Sequence, residues 1–337
     1  MRFPEFSGEW ENTELQYIAP NICSGKDKPT SNGTVALYGS TGIIGMTRLA
    51  SYNEEIVLVA RVGANAGQLQ ITTIPCGVTD NTLIINAKEW NRYIYYYLQH
   101  YNLNRLVFGS GQPLITGSML KKLKIIYGEE SERNKIVNLL CLLDERIATQ
   151  NKIIDKLQSL IKGIAQNITC SNKPNVHISE CLECNSSTLQ ESDVCENGAY
   201  PVYGANGVVG YLNYYNTLSE AIYIIKDGSG VGTVSYVTGK CSPTGTLNIL
   251  QVKDGYSLRY LYYLLKVFNF EPYKTGMAIP HIYFKDYGKA KIFCPQYSEQ
   301  LKYATLLFTI DDKLSTEQEI LKSLNLEKQY LLRQMFI

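Results

Sequence analysis

Residues 131–147, SERNKIVNLLCLLDERI, align with residues 298–314, SEQLKYATLLFTIDDKL, at an offset of 167 residues. The match is not isolated. The same offset sets YIYYYLQHYN (93–102) against YLYYLLKVFN (260–269), and GSGQPLI (109–115) against GMAIPHI (276–282), with Pro113 over Pro280. Nearer the N-terminus the offset is 165: YGSTGIIG (38–45) matches YGANGVVG (203–210), and RVGANAG (61–67) matches KDGSGVG (226–232). Two extra residues in one loop account for the change. A repeat of this length dictates the fold, because each copy must form one structural unit. The chain is one module of about 165 residues written twice.

Each module has two parts. The first, residues 1–128 and again 169–294, is rich in Gly, Tyr, Thr, Val and Ile. Short apolar runs such as EIVLVAR, TLIINA, AIYIIK and TLNILQV are bounded by Gly, Asn and Asp and read as strands. The tyrosine-rich segments predict one amphipathic helix per module, so each head is a mixed α/β (α+β) globular domain. The second part, residues 129–168 and 295–337, carries a heptad. In the central copy the seam is Ile136, Leu140, Leu143, Ile147, Ile154, Leu157, Ile161, Ile164 and Ile168, with Gln150 as its one polar layer. In the C-terminal copy it is Tyr303, Leu307, Ile310, Leu314, Leu321, Leu324, Leu331 and Met335; Glu317 falls on the Gln150 layer and Lys328 interrupts the seam. No proline falls within 131–168 or within its copy, 298–335. Each predicts a helix of about 38 residues, roughly 55–60 Å long.

An apolar seam must be covered, and the natural partner of each is the other. Two equivalent helices related by a perpendicular dyad run antiparallel. The expected architecture is therefore two similar heads separated by an antiparallel coiled coil with pseudo-two-fold symmetry, a dumbbell whose heads are inverted relative to each other. Such a shape suits two unlike half-sites separated by an unread gap, as two-fold DNA readers bind spaced half-sites.

Composition excludes several function classes. No run of 18 apolar residues predicts a transmembrane helix, and MRFPEFSGEWE does not read as a signal peptide, so a cytoplasmic location and no membrane partner are expected. Net charge is +1, with 11 basic and 9 acidic residues in 1–128 and 10 of each in 169–294. A broad basic surface is thereby excluded, and any nucleic-acid contact rests on local patches. The nine cysteines are scattered. Cys170, Cys181, Cys184 and Cys195 contain one CxxC, but no second tight pair follows, so no metal is expected. The chain has no Pro-Pro and hence no Asn/Asp-Pro-Pro-aromatic methyltransferase motif. KDGSGVGTVSYV lacks the Gly-Lys-Ser/Thr of a phosphate loop and runs into a strand rather than a helix. His100, His177 and His281 are far apart, without a nucleophile constellation. The chain is expected to be non-catalytic and to hold no cofactor.

The whole length resembles the specificity subunit of type I restriction–modification systems. The likeness rests on RFPEFSGEWE (2–11), the glycine turns YGSTGIIG and YPVYGANGVVGY, the loop GSGQPLI, and the helix ERNKIVNLLCLLDERIATQNKIIDKLQSLIKGIAQNI (132–168) with its second copy, all in one duplicated order. The resemblance implies a role in host defence in which each head is a target-recognition domain for one half of a split double-stranded DNA sequence. The helices would set the spacing and dock two methyltransferase subunits, which would methylate adenine N6 with S-adenosylmethionine. A separate motor–nuclease subunit would join for restriction. The other expectation is a structural coiled-coil adaptor that presents two heads to protein or glycan ligands.

Base edges are read mostly by Arg, Lys, Asn and Gln, and phosphates are held by cations and backbone donors. The loop candidates are Lys26, Lys28, Arg48, Arg61, Asn65 and Gln112 in the first head, and Asn206, Lys226, Ser229, Lys240, Lys274 and His281 in the second. Arg61 and Lys226 precede equivalent glycine clusters, which points to a shared phosphate contact. The glycine turns themselves read as scaffold.

Gln150 and Glu317 are expected to face each other near the dyad. A crystal structure should place their side chains within about three helical turns, roughly 16 Å; a larger separation would overturn the antiparallel register.

Overall fold

Ile56, Val57, Leu58, Val59 and Ala60 are all fully buried, because the strand they enter, Val57–Ala60, has no solvent face. In the computed structural model, which describes residues 2–72, 75–109 and 111–336, alternate residues of this run serve two different cores. Val57 and Val59, with Leu83 and Ile85, pack against Tyr93, Ile94 and Tyr97 of the helix Asn91–Tyr101. Ile56, Leu58 and Ile84 pack on the other face with Tyr38, Cys76 and Val78. The two-residue period of a strand divides one apolar segment between two layers.

The chain divides into two compact units, Met1–Gln150 with Ile320–Ile337, and Asn151–Glu319. The first contains a four-stranded antiparallel sheet in the order Cys23–Ser24, Thr82–Ile85, Val57–Ala60, Leu69–Ile71. Below it lies a three-stranded sheet, Gly42–Thr47, Val35–Gly39, Cys76–Val78, whose last pairing is parallel. A two-stranded ribbon, Glu11–Glu14 with Lys124–Tyr127, leads into the central helix Glu130–Cys170.

The second unit repeats this topology. Its four-stranded sheet runs Leu182–Ser186, Leu247–Val252, Glu220–Ile225, Val234–Thr238. Its three-stranded sheet runs Gly207–Leu212, Tyr200–Gly204, Ser242–Pro243, again with one parallel pairing. The ribbon Val176–His177 with Lys291–Ile292 precedes the C-terminal helix Tyr297–Met335. The runs read from sequence as strands and as tyrosine-rich helices form those elements in both copies.

The glycine turn is the connection between the first two strands of the small sheet. Gly39 pairs with Gly42 and Gly204 with Gly207, leaving Ser40-Thr41 and Ala205-Asn206 as the turns, each after a bulge at the same place. Gly42 and Gly207 sit at φ +110° and +107°, where an L side chain is strained. Gly39 and Gly204 serve packing instead: a Cβ there would meet Ile44 at 2.9 Å and Val209 at 2.7 Å. In both heads these glycines set the turn and its packing.

Tyrosine hydroxyls tie each head to its long helix and to the segment that leads into it. Tyr93 donates to the carbonyl of Ile126 at 2.8 Å, Tyr97 to that of Lys124 at 3.1 Å, and Tyr96 to Asp144 Oδ2 at 2.9 Å. In the second unit Tyr260 donates to the carbonyl of Phe293 at 2.9 Å and Tyr263 to Asp311 Oδ2 at 3.1 Å. Burial pushes all five phenols above their ordinary range. The N-terminal segment adds a clasp of its own. Arg2 reaches the buried Glu132 carboxylate at 2.6 and 2.7 Å, and Trp10 Nε1 donates to it at 3.0 Å.

Both long helices contribute to both units. In the first, Ile136 and Leu140 share a core with Leu332, Met335 and Phe336, and Asp144 meets Lys328 at 2.6 Å. Contacts that climb one helix descend the other, so the pairing is antiparallel. In the second, Gln158, Ile161 and Ala165 line one cleft with Asp311, Leu314 and Ser315. Ile136, Leu140, Leu143, Gln150, Ile154, Ile161, Ile168, Leu307, Leu314, Leu324 and Met335 are buried. Ile147, Leu157, Ile164, Tyr303, Ile310, Glu317, Leu321 and Leu331 are half-buried, and Glu317 accepts from Lys313 at 3.2 Å. Leu142, Leu160, Leu306 and Leu326, off the seam, are exposed. Lys328 does not interrupt the seam as its charge predicts: besides pairing with Asp144, its ammonium lies 5.7 Å from the Tyr96 ring centroid.

Asp144 thus serves a tyrosine and a lysine, whereas at the equivalent of Lys328 the second unit carries Ile161. Asp144→Ala is expected to lower stability by about 2 kcal/mol or more, since it strands a half-buried ammonium as well as a hydroxyl. Asp311→Ala should cost about 1 kcal/mol. Thermal unfolding of the two variants checks the order, and equal losses would contradict it.

Candidate nucleic-acid interface

In each head two loops are stitched into one surface. In the first, the amide of Gly63 donates to the carbonyl of Pro113 and that of Ile115 to Arg61, both at 2.9 Å. Val62 and Phe108 each form an antiparallel bridge with Leu114. This brings together Arg61, Asn65 and Gln112, which lie some 50 residues apart in sequence. Ser110 of the same segment lies outside the described residues. Asn65 and Gln112 are exposed, and Arg61 is half-buried with Nη1 3.4 Å from Ser24 Oγ.

Lys26, Lys28 and Arg48 form a second, exposed group beside the small sheet. Asp27 fixes it there: its amide donates to the carbonyl of Val78 at 2.9 Å, and its carboxylate accepts from the Val78 amide at 2.8 Å. Arg48 Nη2 reaches the carbonyl of Ser31 at 3.4 Å. Because Ser24 precedes Lys26 by two residues, the Arg61 contact makes the two groups adjoin. The cleft of about 850 Å³ along Tyr17, Tyr52, Trp90 and Tyr127 contains none of these side chains.

The second head repeats the loop pairing. Gly228 donates to the carbonyl of Pro280 at 3.0 Å and Ile282 to Lys226 at 2.9 Å, while Thr275 and His281 exchange backbone bonds of 2.9 and 2.8 Å. Lys226, Ser229, Lys274 and His281 are gathered by this pairing. Lys274 pairs with Glu271 at 2.6 Å. Asn206 occupies the hairpin turn, and Lys240 lies over the rings of Tyr215 and Tyr200 at the other end of the same strand. Those two residues are not brought to one place.

Arg61 and Lys226 occupy matched backbone positions. Their amides donate to the carbonyls of Asn81 and Thr246, and their carbonyls accept from Ile115 and Ile282, each at 2.9 Å. The loops differ in what surrounds that frame. Val62 and Leu114 form the bridge in the first head; Asp227 and His281 form it in the second, with Asp227 Oδ1 2.6 Å from His281 Nδ1. Asp227 is a residue that sequence reasoning passed over, because only the fold places it opposite a histidine 54 residues away. The exposed Met277 and Ile279 at the tip of that loop were missed for the same reason.

The cysteine cluster is not assembled. Cys170 and Cys195 are exposed, Cys181 is buried 3.9 Å from Cys294, and burial pushes the Cys184 thiol up to about 11. Among the described residues no three His, Cys, Asp or Glu side chains are grouped to hold a metal ion, and no helix is long and apolar enough to cross a membrane.

Comparison with known proteins places this geometry. The profile of the type I restriction modification DNA specificity domain matches residues 2–159 and again 174–326. A Mycoplasma genitalium protein named as a type I specificity subunit is 25% identical over 305 residues, covering 82% of this chain and 79% of the relative. The specificity subunit of the Escherichia coli type I enzyme EcoprrI is 24% identical over 125 residues, covering 37% of this chain and 31% of its own. The crystal structure of the type I restriction–modification S subunit from M. genitalium superposes with a TM-score of 0.74 at 19% identity, over 98% of this chain and 96% of that one. With the profile matched twice over nearly its whole length, the chain belongs to the type I restriction–modification DNA-specificity family.

Proposed function

We propose that this chain is the sequence-specific DNA-recognition subunit of a type I restriction–modification complex, residues 1–128 reading one half of a bipartite target and residues 169–294 the other. The observation that carries the reading is the duplication of one scaffold with unlike loops. The backbone frame around Arg61 and Lys226 is the same, whereas the flanking pairs, Val62–Leu114 and Asp227–His281, are not. The same frame with different side chains is what two different half-sites require. Function placed on loops held by rigid sheets is a general arrangement.

Arg61 and Lys226 hold equivalent phosphates in this reading. The remaining loop candidates divide between phosphate and base contacts. The helices 129–168 and 295–337 set the gap and dock two methyltransferase subunits, with exposed leucines such as Leu142 and Leu326 adding apolar contact to their charged faces. The chain is non-catalytic. S-adenosylmethionine belongs to the methyltransferase, which modifies the adenine N6, and a motor–nuclease subunit completes the restriction complex. Presentation of two heads to protein or glycan ligands finds no support in the family match.

Co-expression with a type I methyltransferase subunit from the same genome in a host free of adenine methylation, followed by genome-wide mapping of N6-methyladenine, tests the reading. A split motif with a fixed gap is expected; no methylation, or a continuous motif, would refute it. In the assembled complex Lys226→Ala should weaken DNA binding at all sites alike and lower the slope of log K against log salt by about 0.9, the value of one phosphate contact. An unchanged slope would remove Lys226 from the phosphate contacts.

A further inference from the structure

The Asp227–His281 pair separates His281 from the other candidates. Phosphate contacts need charge in the right region, but reading a base edge needs a hydrogen-bonding atom held in one orientation. Lys26, Lys28 and Arg48 are exposed. Lys274 is engaged by Glu271 and Lys240 by aromatic rings. His281, by contrast, is held on several sides. Its backbone exchanges two hydrogen bonds with Thr275, its ring stacks at 21° on Tyr283, and its Nδ1 meets Asp227 Oδ1 at 2.6 Å. Yet each side chain of the pair keeps 35% of its surface exposed.

A carboxylate oxygen can only accept, so Nδ1 carries the proton of this hydrogen bond. In the neutral ring Nε2 is then an acceptor, and among the described residues no group donates to it. The tautomer is set by the partner on the other nitrogen. In the first head the same bridge is the apolar pair Val62–Leu114, so packing alone does not require the polar pair. We propose that His281, oriented by Asp227, is a specificity-determining residue of the second head, and that its Nε2 accepts from the exocyclic amino group of an adenine or a cytosine in the major groove. Asp227 is the positioning residue. The inference rests on the DNA-recognition reading and names one reader within it.

The test uses the complete complex and the methylation map. His281→Leu is the first variant and Asp227→Val with His281→Leu the second; the double variant installs the pair that the first head already folds around. In both, one base pair of one half-site is expected to become degenerate. Discrimination there should fall about fivefold to tenfold, the low end for a single base-edge contact. The gap, the other half-site and the remaining positions should persist. The wild-type base at that position, A or C on the contacted strand, identifies which amino group is read. Asp227→Ala should relax the same base pair and no other. An unchanged motif with unchanged discrimination in the double variant would overturn the inference. So would loss of several base pairs of that half-site together, which marks a scaffold role. A wild-type complex without any bipartite motif would instead overturn the functional reading itself, and is a separate result.

Discussion

A hydroxyl on a carboxylate joins each head to the helix it serves. Tyr96 on Asp144 and Tyr263 on Asp311 are the same contact made twice, at 2.9 and 3.1 Å. They are flanked by the equivalent hydroxyls of Tyr93 and Tyr260 on the carbonyls of Ile126 and Phe293, in the segments that lead into those helices. A buried phenol needs a partner for its hydroxyl while its ring fills the core. The tyrosine helix can therefore pack against the large sheet and hold a polar anchor on the long helix at once. A leucine at these positions would fill the space but leave the helix without a fixed attachment.

That attachment frees the loops to differ. The glycines that shape the hairpin and the loop pair keep the same left-handed conformation in both heads: Gly42 and Gly207, Gly63 and Gly228, Gly67 and Gly232, Gly109 and Gly276. With the backbone settled by sheets, tyrosines and glycines, the side chains projecting from the stitched loops are under little structural constraint. Val62–Leu114 can become Asp227–His281 with the same bridge beneath it. The frame is thus kept in both heads while the surface it carries differs.

The charge that Lys328 puts in the helix seam follows a related logic. Lys328 looks like a fault in a heptad, and in an isolated coiled coil it would cost stability. Here the head supplies its partner: the Asp144 that Tyr96 already engages, with the Tyr96 ring beside the ammonium. The second unit places Ile161 at the equivalent position, and Asp311 keeps its tyrosine. The two copies have therefore diverged inside the helix pairing as well as in the loops.

The repeat, the two heptads, the strand runs and the tyrosine helices were legible because each is a local period or a self-match, and hydrophobic burial acts on such periods directly. The same holds for the glycine spacing of YGSTGIIG and YGANGVVG, which reflects backbone conformation. What required the tertiary structure was every relation between residues distant in sequence and unlike in type. Glu132 accepts from Arg2 and Trp10, Asp144 from Lys328, and Asp227 from His281. None of these pairs has a period or a motif. Each exists because packing brings two helices, two loops, or the N-terminal segment and a helix to one place, and a desolvated polar group there must find a partner. Sequence alone determined that the chain builds one head twice with a helix after each; only the folded loops decided which distant side chains meet, because that depends on packing and not on any local period.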